Sequence, residues 1–285
     1  MAFIEQYSKI SGLIQEDIDK VSENVLKEIN LLEPLNTSLR KILTSPSKHI
    51  RAVAAFLYLK ANNQEITPRQ IELQSAVELI HNASLIHDDI IDESDTRRNT
   101  PTINSEFDSK LAVISGDYLL AAALKKISRL DSFDLLGIFS TAFAQMCTGE
   151  ISQYFSKYKK VSLDDYIAKS QQKTASLFQS AIEGAAIVSG NINRKAAADF
   201  AINFGIAFQI RDDLINFETT RSDINDGIYT APVILSENED FTNGIEKTRL
   251  LLNNYIDKSA DIIKNLEKSR YKTALTELLE LFRHE

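Results

Sequence analysis

The chain has 285 residues, 44% apolar and 25% charged, a globular composition with ample material for a core. Lys plus Arg number 32 and Asp plus Glu 40, so the net charge is −8, which argues against general nucleic-acid binding but leaves room for local basic sites for anions. One cysteine, Cys147, excludes an intramolecular disulfide, and with four scattered histidines it makes no zinc site.

Glycine (9) and proline (5) are sparse, which favours long helices over many short strands. Residues 3–30 read as one amphipathic helix, with Ile4, Ile10, Ile14, Ile18, Val21, Val25 and Ile29 spaced close to the helical period. Pro34 and Pro46 bracket a short helical segment, and a helix over 49–62 follows. Thr67-Pro68 supplies an N-cap with proline at the first helical position, and the helix it opens carries Ile71, Leu73, Val77, Leu79, Ile80, Leu85 and Ile86 up to Asp92. Residues 93–104 are polar and read as a loop. Further helices are predicted over 107–129, 132–158, 163–189, 193–220, 229–235 and 242–284, with Ser162 and Asp165 as a capping signal. No repeat or linker interrupts the pattern, so residues 1–285 are expected to form a single all-α domain, a helical bundle.

Cys147 lies near Ala144 and Met146 and is expected to be a buried, inert thiol. A lone cysteine fits a reducing compartment, and a cytoplasmic location is expected. The opening MAFIEQYSKISGLIQEDIDK lacks an apolar core of signal-peptide type. No uncharged apolar run approaches ~18 residues, so no transmembrane segment is expected, while peripheral membrane association is compatible with the composition.

The chemistry concentrates in Asp88-Asp89-Ile90-Ile91-Asp92 and a second acidic pair, Asp212-Asp213, preceded by Phe208-Gln209-Ile210-Arg211. Carboxylates four apart share a helix face, and hard divalent cations such as Mg²⁺ prefer oxygen ligands. An acidic triplet alone is usually a solvated face. Behind Asp88, however, Ser84, then Ile80 and His81, then Val77 lie on roughly the same face, small first and apolar below. That stripe suits a ligand with a charged head and a hydrocarbon tail; an ordinary amphipathic helix with an acidic end reads the same way. Three basic clusters add to it: Lys48-His49-Ile50-Arg51, Arg97-Arg98 and Lys173-Thr174. Each alone would be surface decoration. Together with the two acidic helix ends they suggest metal-bridged diphosphate binding, for which guanidinium forks are suited.

The string SAVELIHNASLIHDDIIDESDTRRNTPT resembles the first aspartate-rich region of the trans-prenyltransferases, the isoprenyl diphosphate synthases. The likeness continues through SGDYLLAAAL, GEISQY, KTASLF, FGIAFQIRDDLINF and DGIYTAPVI in the family's order. It implies an all-helical fold around a central cavity with two facing aspartate motifs and about three Mg²⁺ ions, octahedral oxygen-bound cations held partly by substrate phosphates. By resemblance, Asp88, Asp92 and Asp212 are the metal ligands, with Asp89 and Asp213 supporting them in the catalytic set. Lys48, Arg51, His81 and Arg98 match positions that hold isopentenyl diphosphate. Arg97, Lys173 and Thr174 match positions at the allylic diphosphate, and Gln209 belongs to that end. The implied partners are those two substrates and a second copy of the chain, with the apolar segment 107–129 as an interface candidate that an internal core helix would imitate.

Three departures stand out. The family's basic motif usually reads Gly-Lys-Arg-x-Arg-Pro; here it is Ser47-Lys48-His49-Ile50-Arg51-Ala52. The second acidic motif ends in Asn216 rather than aspartate, and the usual lysine after it has no clear match, Arg221 being the candidate substitute. Short-chain synthases commonly close the product tunnel with an aromatic just before the first motif. Here Ala83 and Ser84 stand there, above Ile80 and Val77, which resembles synthases whose products exceed C20 and become quinone side chains. Phe143 or Tyr118 could instead close the floor. A short-chain synthase, a terpene cyclase and a non-catalytic subunit are the competing readings; the cyclase fits poorly, because Asp212-Asp213 is followed by Asn216 and Thr220.

Overall fold

The computed structural model describes residues 2–237 and 240–283. In chain order the elements are α1 (Ala2–Gly12), α2 (Gln15–Leu26), α3 (Leu35–Leu43), α4 (Ile50–Ala61), α5 (Pro68–Ile91), β1 (Thr96–Arg97), β2 (Thr100–Pro101), α6 (Ile103–Glu106), α7 (Ser109–Arg129) and α8 (Phe133–Phe155). Then come α9 (Leu163–Ser170), a π-helical turn (Gln171–Ala175), α10 (Ser176–Ser189), α11 (Arg194–Thr219), α12 (Ser222–Asn225), α13 (Ala231–Ile234), α14 (Phe241–Ile263) and α15 (Arg270–Arg283). The fold is all-α. Its only sheet among the described residues is the hairpin β1–β2, inside the segment expected to be a loop. Arg98 and Asn99, both with positive φ (52° and 60°), form its two-residue turn.

The chain divides into two compact units. One comprises Ile14–Phe56 and Glu65–Leu136, the other Met1–Leu13, Leu57–Gln64 and Gly137–Glu285. In the first, α5 packs most extensively on α7 and also on α2. Gly116 permits the close approach of α7: a Cβ there would lie 2.2 Å from Nε2 of His87 on α5. The Thr67 hydroxyl accepts the Gln70 N–H, capping α5 as the sequence predicts. Lys126 is fully buried, 3.4 Å from Glu28 and 3.1 Å from Glu72, and Arg129 reaches the same two carboxylates. Burial pushes both carboxyls up, but the Lys126 and Arg129 contacts outweigh it and hold them below the usual range. Tyr118 donates to the Glu28 carbonyl (2.6 Å), so its ring end is committed to the C-terminus of α2.

In the second unit α11 packs against α10 and α14. Phe178, Phe200 and Phe204 form a buried aromatic run, which Phe282 of α15 meets edge-on at 5.4 Å from Phe204. Gly205 lets α11 approach the π-helical turn: its Cβ would lie 2.6 Å from the Ala175 Cα.

Four expectations change. The run 3–30 breaks after Gly12, where Ile14 leaves helical geometry (φ −135°, ψ 19°); Ile10 and Ile14 are both buried, so the apolar period crosses the break unaltered. The run 163–189 contains a π-helical turn. The run 242–284 is two helices separated at 264–269, where the Lys272 ammonium binds the Leu266 carbonyl (2.7 Å); residue 284 lies outside the described residues. Cys147 is exposed, not buried: it faces outward on α8, and apolar neighbours in sequence do not fix which side of a helix is covered. Among the described residues, no helix is long and apolar enough to cross a membrane.

Candidate active site

The last turn of α5 carries the first acidic motif. Asp92 closes the helix, its N–H bonding the Asp88 carbonyl at 2.8 Å. Asp88 is half-buried and Asp92 exposed, whereas Asp89 is buried, 4% exposed. Arg97 on β1 places Nε and Nη2 each 2.7 Å from Asp89 Oδ1. Asp89 therefore fastens the hairpin to the helix end. Asn104 and Thr102 tie the same corner through the Ser94 carbonyl.

Arg51, Arg97, Arg98 and His49 all act on His81, about two turns before Asp88. Burial, then the charges of Arg51 and the other cations, hold His81 well below the usual histidine range, so it stays neutral. Burial, and then the neighbouring Arg97 charge, also lower Arg98. Grouped cations raise the local attraction for anions. Lys48 is exposed and Arg51 buried. His49 stands between them with φ 47°, its Nδ1 3.0 Å from Oε2 of the buried Glu78. Val77, Ile80 and Ala83 are buried; Ser84 is half-buried and returns its hydroxyl to the His81 carbonyl (2.8 Å).

In the other unit, α11 carries Gln209, Asp212, Asp213 and Asn216. Asp212 is exposed, 3.7 Å from Arg211. Asp213 is buried and accepts from the Tyr166 hydroxyl (2.6 Å) and Gln209 Nε2 (2.7 Å). Burial pushes its carboxyl up to about 7 even against those donors. Gln209 Oε1 in turn accepts the Thr174 hydroxyl at 2.5 Å, so one hydrogen-bonded chain runs Tyr166–Asp213–Gln209–Thr174. Thr174 and Lys173 sit on the π-helical turn, a distortion that recurs at functional sites. Lys173 pairs with Glu150 of α8.

Asn216 has a different task from the aspartate it replaces. Its Nδ2 donates to Ser222 Oγ (2.7 Å) and its Oδ1 accepts the Asp223 N–H (3.3 Å), so it anchors α12. Arg221, with φ 53°, lays its guanidinium over the Phe217 ring at 4.9 Å. Glu78, Glu150 and Tyr166 escaped the sequence reading as partners of the site. Glu78 and Glu150 lie inside matched strings, but nothing local marks Tyr166.

Among the described residues no three His, Cys, Asp or Glu side chains form a ready cation cage. The donors are nevertheless of the right kind for Mg²⁺, which typically binds one or two carboxylates plus substrate phosphates rather than a cage made wholly of protein.

The fold is that of an all-α isoprenyl synthase: a polyprenyl synthase from Caulobacter crescentus CB15, solved with calcium and isoprenyl diphosphate, superposes with a TM-score of 0.87 at 22% identity, covering 98% of each chain. The model of the polyprenyl synthetase family matches residues 32–281. A prenyl transferase of Cyanophora paradoxa is 32% identical over 94% of this chain and 95% of its own length. A decaprenyl-diphosphate synthase of Dictyostelium discoideum is 31% identical over 95% of this chain and 70% of its own. The chain belongs to the polyprenyl synthetase family and is a prenyltransferase.

Proposed function

We propose that this protein condenses an allylic diphosphate with successive isopentenyl diphosphate units, with Mg²⁺, to make a polyprenyl diphosphate longer than C20, of the kind used as quinone side chains. The observation that carries the reading is the meeting of basic and acidic groups at the end of α5, where Arg97 of the hairpin binds Asp89 at 2.7 Å, beside the cations that hold His81 neutral. Kinship to a decaprenyl-diphosphate synthase and the small side chains Ala83 and Ser84 support the long product.

Asp88, Asp92 and Asp212 would hold the metal, about three ions with substrate bound. Mg²⁺ there would neutralise charge growing on the departing diphosphate, as its hard-oxygen chemistry suits. Lys173, Thr174, Arg97 and Gln209 orient the allylic diphosphate, and Lys173 adds a positive charge as the leaving group departs. Lys48, Arg51, His81 and Arg98 hold isopentenyl diphosphate so that its double bond meets the allylic cation. Proton loss follows, and no side chain is assigned as base. Buried Val77, Ile80 and Ala83 give the tail an apolar wall and help exclude water that would quench the cation. Asp89 and Asp213 support their neighbours through Arg97 and Tyr166.

Residues 1–285 are proposed to work as one catalytic domain, since the family match runs through both units. Homodimerisation is proposed through α7, where Val113, Ile114 and Leu124 are exposed. A cytoplasmic location is proposed from the lone cysteine.

Purified protein given farnesyl diphosphate, labelled isopentenyl diphosphate and Mg²⁺ should produce a ladder extending past C20. No elongation with any primer overturns the catalytic reading and leaves a non-catalytic subunit. A ladder ending at C20 or below overturns only the length.

A further inference from the structure

His49 stands where the family's basic motif usually has arginine, and its geometry is unusual. It lies immediately before α4, and its carbonyl accepts the Val53 N–H at 2.9 Å, the first bond of that helix. A residue there normally has extended backbone and caps the helix with its own side chain. His49 instead has φ 47°, a left-handed conformation that a Cβ disfavours. Its side chain turns away from α4 to Glu78 on α5, with Nδ1 3.0 Å from Oε2. Glu78 is 3% exposed, so this contact is made inside the protein.

We infer that His49 is a positioning residue for isopentenyl diphosphate: fastened to Glu78, it fixes the bend between Lys48 and Arg51 and neutralises a buried carboxylate that would oppose a diphosphate there. The inference rests on the reading of Lys48 and Arg51 as isopentenyl diphosphate ligands. Two facts support the second role. Glu78 lies one turn before His81 on α5, and it acts on Arg98 as well as on His49. An unneutralised carboxylate among those cations would repel the anion they gather.

The charged groups acting on His49 are Glu78 of α5, Arg98 of the hairpin turn and Asp19 of α2, with His81 also near. Burial works against protonation of His49 and Arg98 opposes it, but the Glu78 bond and charge prevail and raise it above the usual histidine range. The protonated imidazole therefore persists toward neutrality and is lost as pH rises through that raised value. His81 is held neutral over the same range and does not mimic the transition.

Calorimetry of isopentenyl diphosphate binding tests this without requiring turnover. His49→Asn keeps a residue that tolerates the left-handed bend but loses the cation. Its Kd for isopentenyl diphosphate should rise roughly tenfold, the scale of one charge-assisted hydrogen bond, while its Kd for farnesyl diphosphate with Mg²⁺ stays within about twofold. Adding Glu78→Gln should restore much of the affinity, because the opposing charge is then gone; a purely structural role predicts further loss. In the wild type the isopentenyl diphosphate Kd should rise, as pH climbs through and above the ordinary histidine range, more steeply than in the double variant. Lys48→Ala is the control. If Lys48→Ala weakens binding and His49→Asn does not, the role of His49 is overturned. If neither weakens it, the Lys48–Arg51 site itself is overturned, and the inference with it.

Discussion

The C-terminal halves of α5 and α11 carry the same sequence device, adjacent aspartates after an apolar helical run, and the protein uses them differently. In each pair the second aspartate turns inward: Asp89 is 4% exposed and Asp213 5%. Asp89 meets a guanidinium, whereas Asp213 meets two neutral donors, Tyr166 and Gln209. A cation compensates a buried carboxylate more fully than neutral donors do, and Asp213 is accordingly pushed up to about 7 by its burial. The outward carboxylates differ as well. Asp88 has Asp92 one turn on, whereas the equivalent position after Asp212 is Asn216, spent on anchoring α12. The paired motifs thus reduce to one helix end with two outward carboxylates and another with one, each steadied by an inward partner.

The largest expected effect tests which aspartates act on the leaving group. Asp88→Asn and Asp212→Asn should each lower kcat by about 10²–10³-fold, the usual loss when a group stabilising transition-state charge is removed. Steady-state rates that stay within tenfold for Asp212→Asn would confine the chemistry to the α5 end.

Product length should depend on the α5 region alone. Ala83→Phe should end the ladder at or below C20, read by chromatography of the products, while Asn216→Asp leaves the ladder unchanged. The buried Ala83 site makes some overpacking unavoidable, about 1–3 kcal/mol, so folding must be checked by circular dichroism. Equal lengths in wild type and Ala83→Phe would place the tunnel elsewhere.

Stability should separate the two inward aspartates. Arg97→Ala leaves Asp89 buried without its cation and should cost roughly 2 kcal/mol, below a fully buried pair because Arg97 is partly exposed. Tyr166→Phe removes one neutral donor and should cost about 1 kcal/mol. Urea unfolding that ranks them in reverse would undo the contrast.

The last test is the pH dependence of the metal-free protein. A carboxyl raised to about 7 keeps its proton in the fold after the unfolded chain has lost it. The folded state then binds more protons than the unfolded one, so this group's contribution is full below about pH 4 and declines until pH passes about 7. The melting temperature of the wild type should accordingly fall relative to Asp213→Asn between those values. Parallel curves would show that Asp213 ionises normally.

Much of this was readable from residue order. Thr67 and Ser162 cap helices as their spacing predicts, because capping is a local bond between a side chain and a backbone N–H two or three residues on. The breaks after Gly12 and at 264–269 were not readable, since buried residues keep the helical period on both sides of a bend. The Cys147 environment was misread for a related reason: neighbours in sequence point in different directions around a helix.

The sequence by itself determined an all-helical chain, the two acidic helix ends, the basic clusters and the family. These follow from short-range periodicity and from side-chain types in a fixed order. Tertiary structure alone decided what each polar group does. It turned Asp89 and Asp213 inward, gave Asn216 to α12, paired Lys173 with Glu150 and set His49 against Glu78. Those assignments depend on partners up to 47 residues away, as for Tyr166 and Asp213. Buried polar groups must find partners wherever packing brings them, and the local pattern of a helix carries no record of what lies across from it.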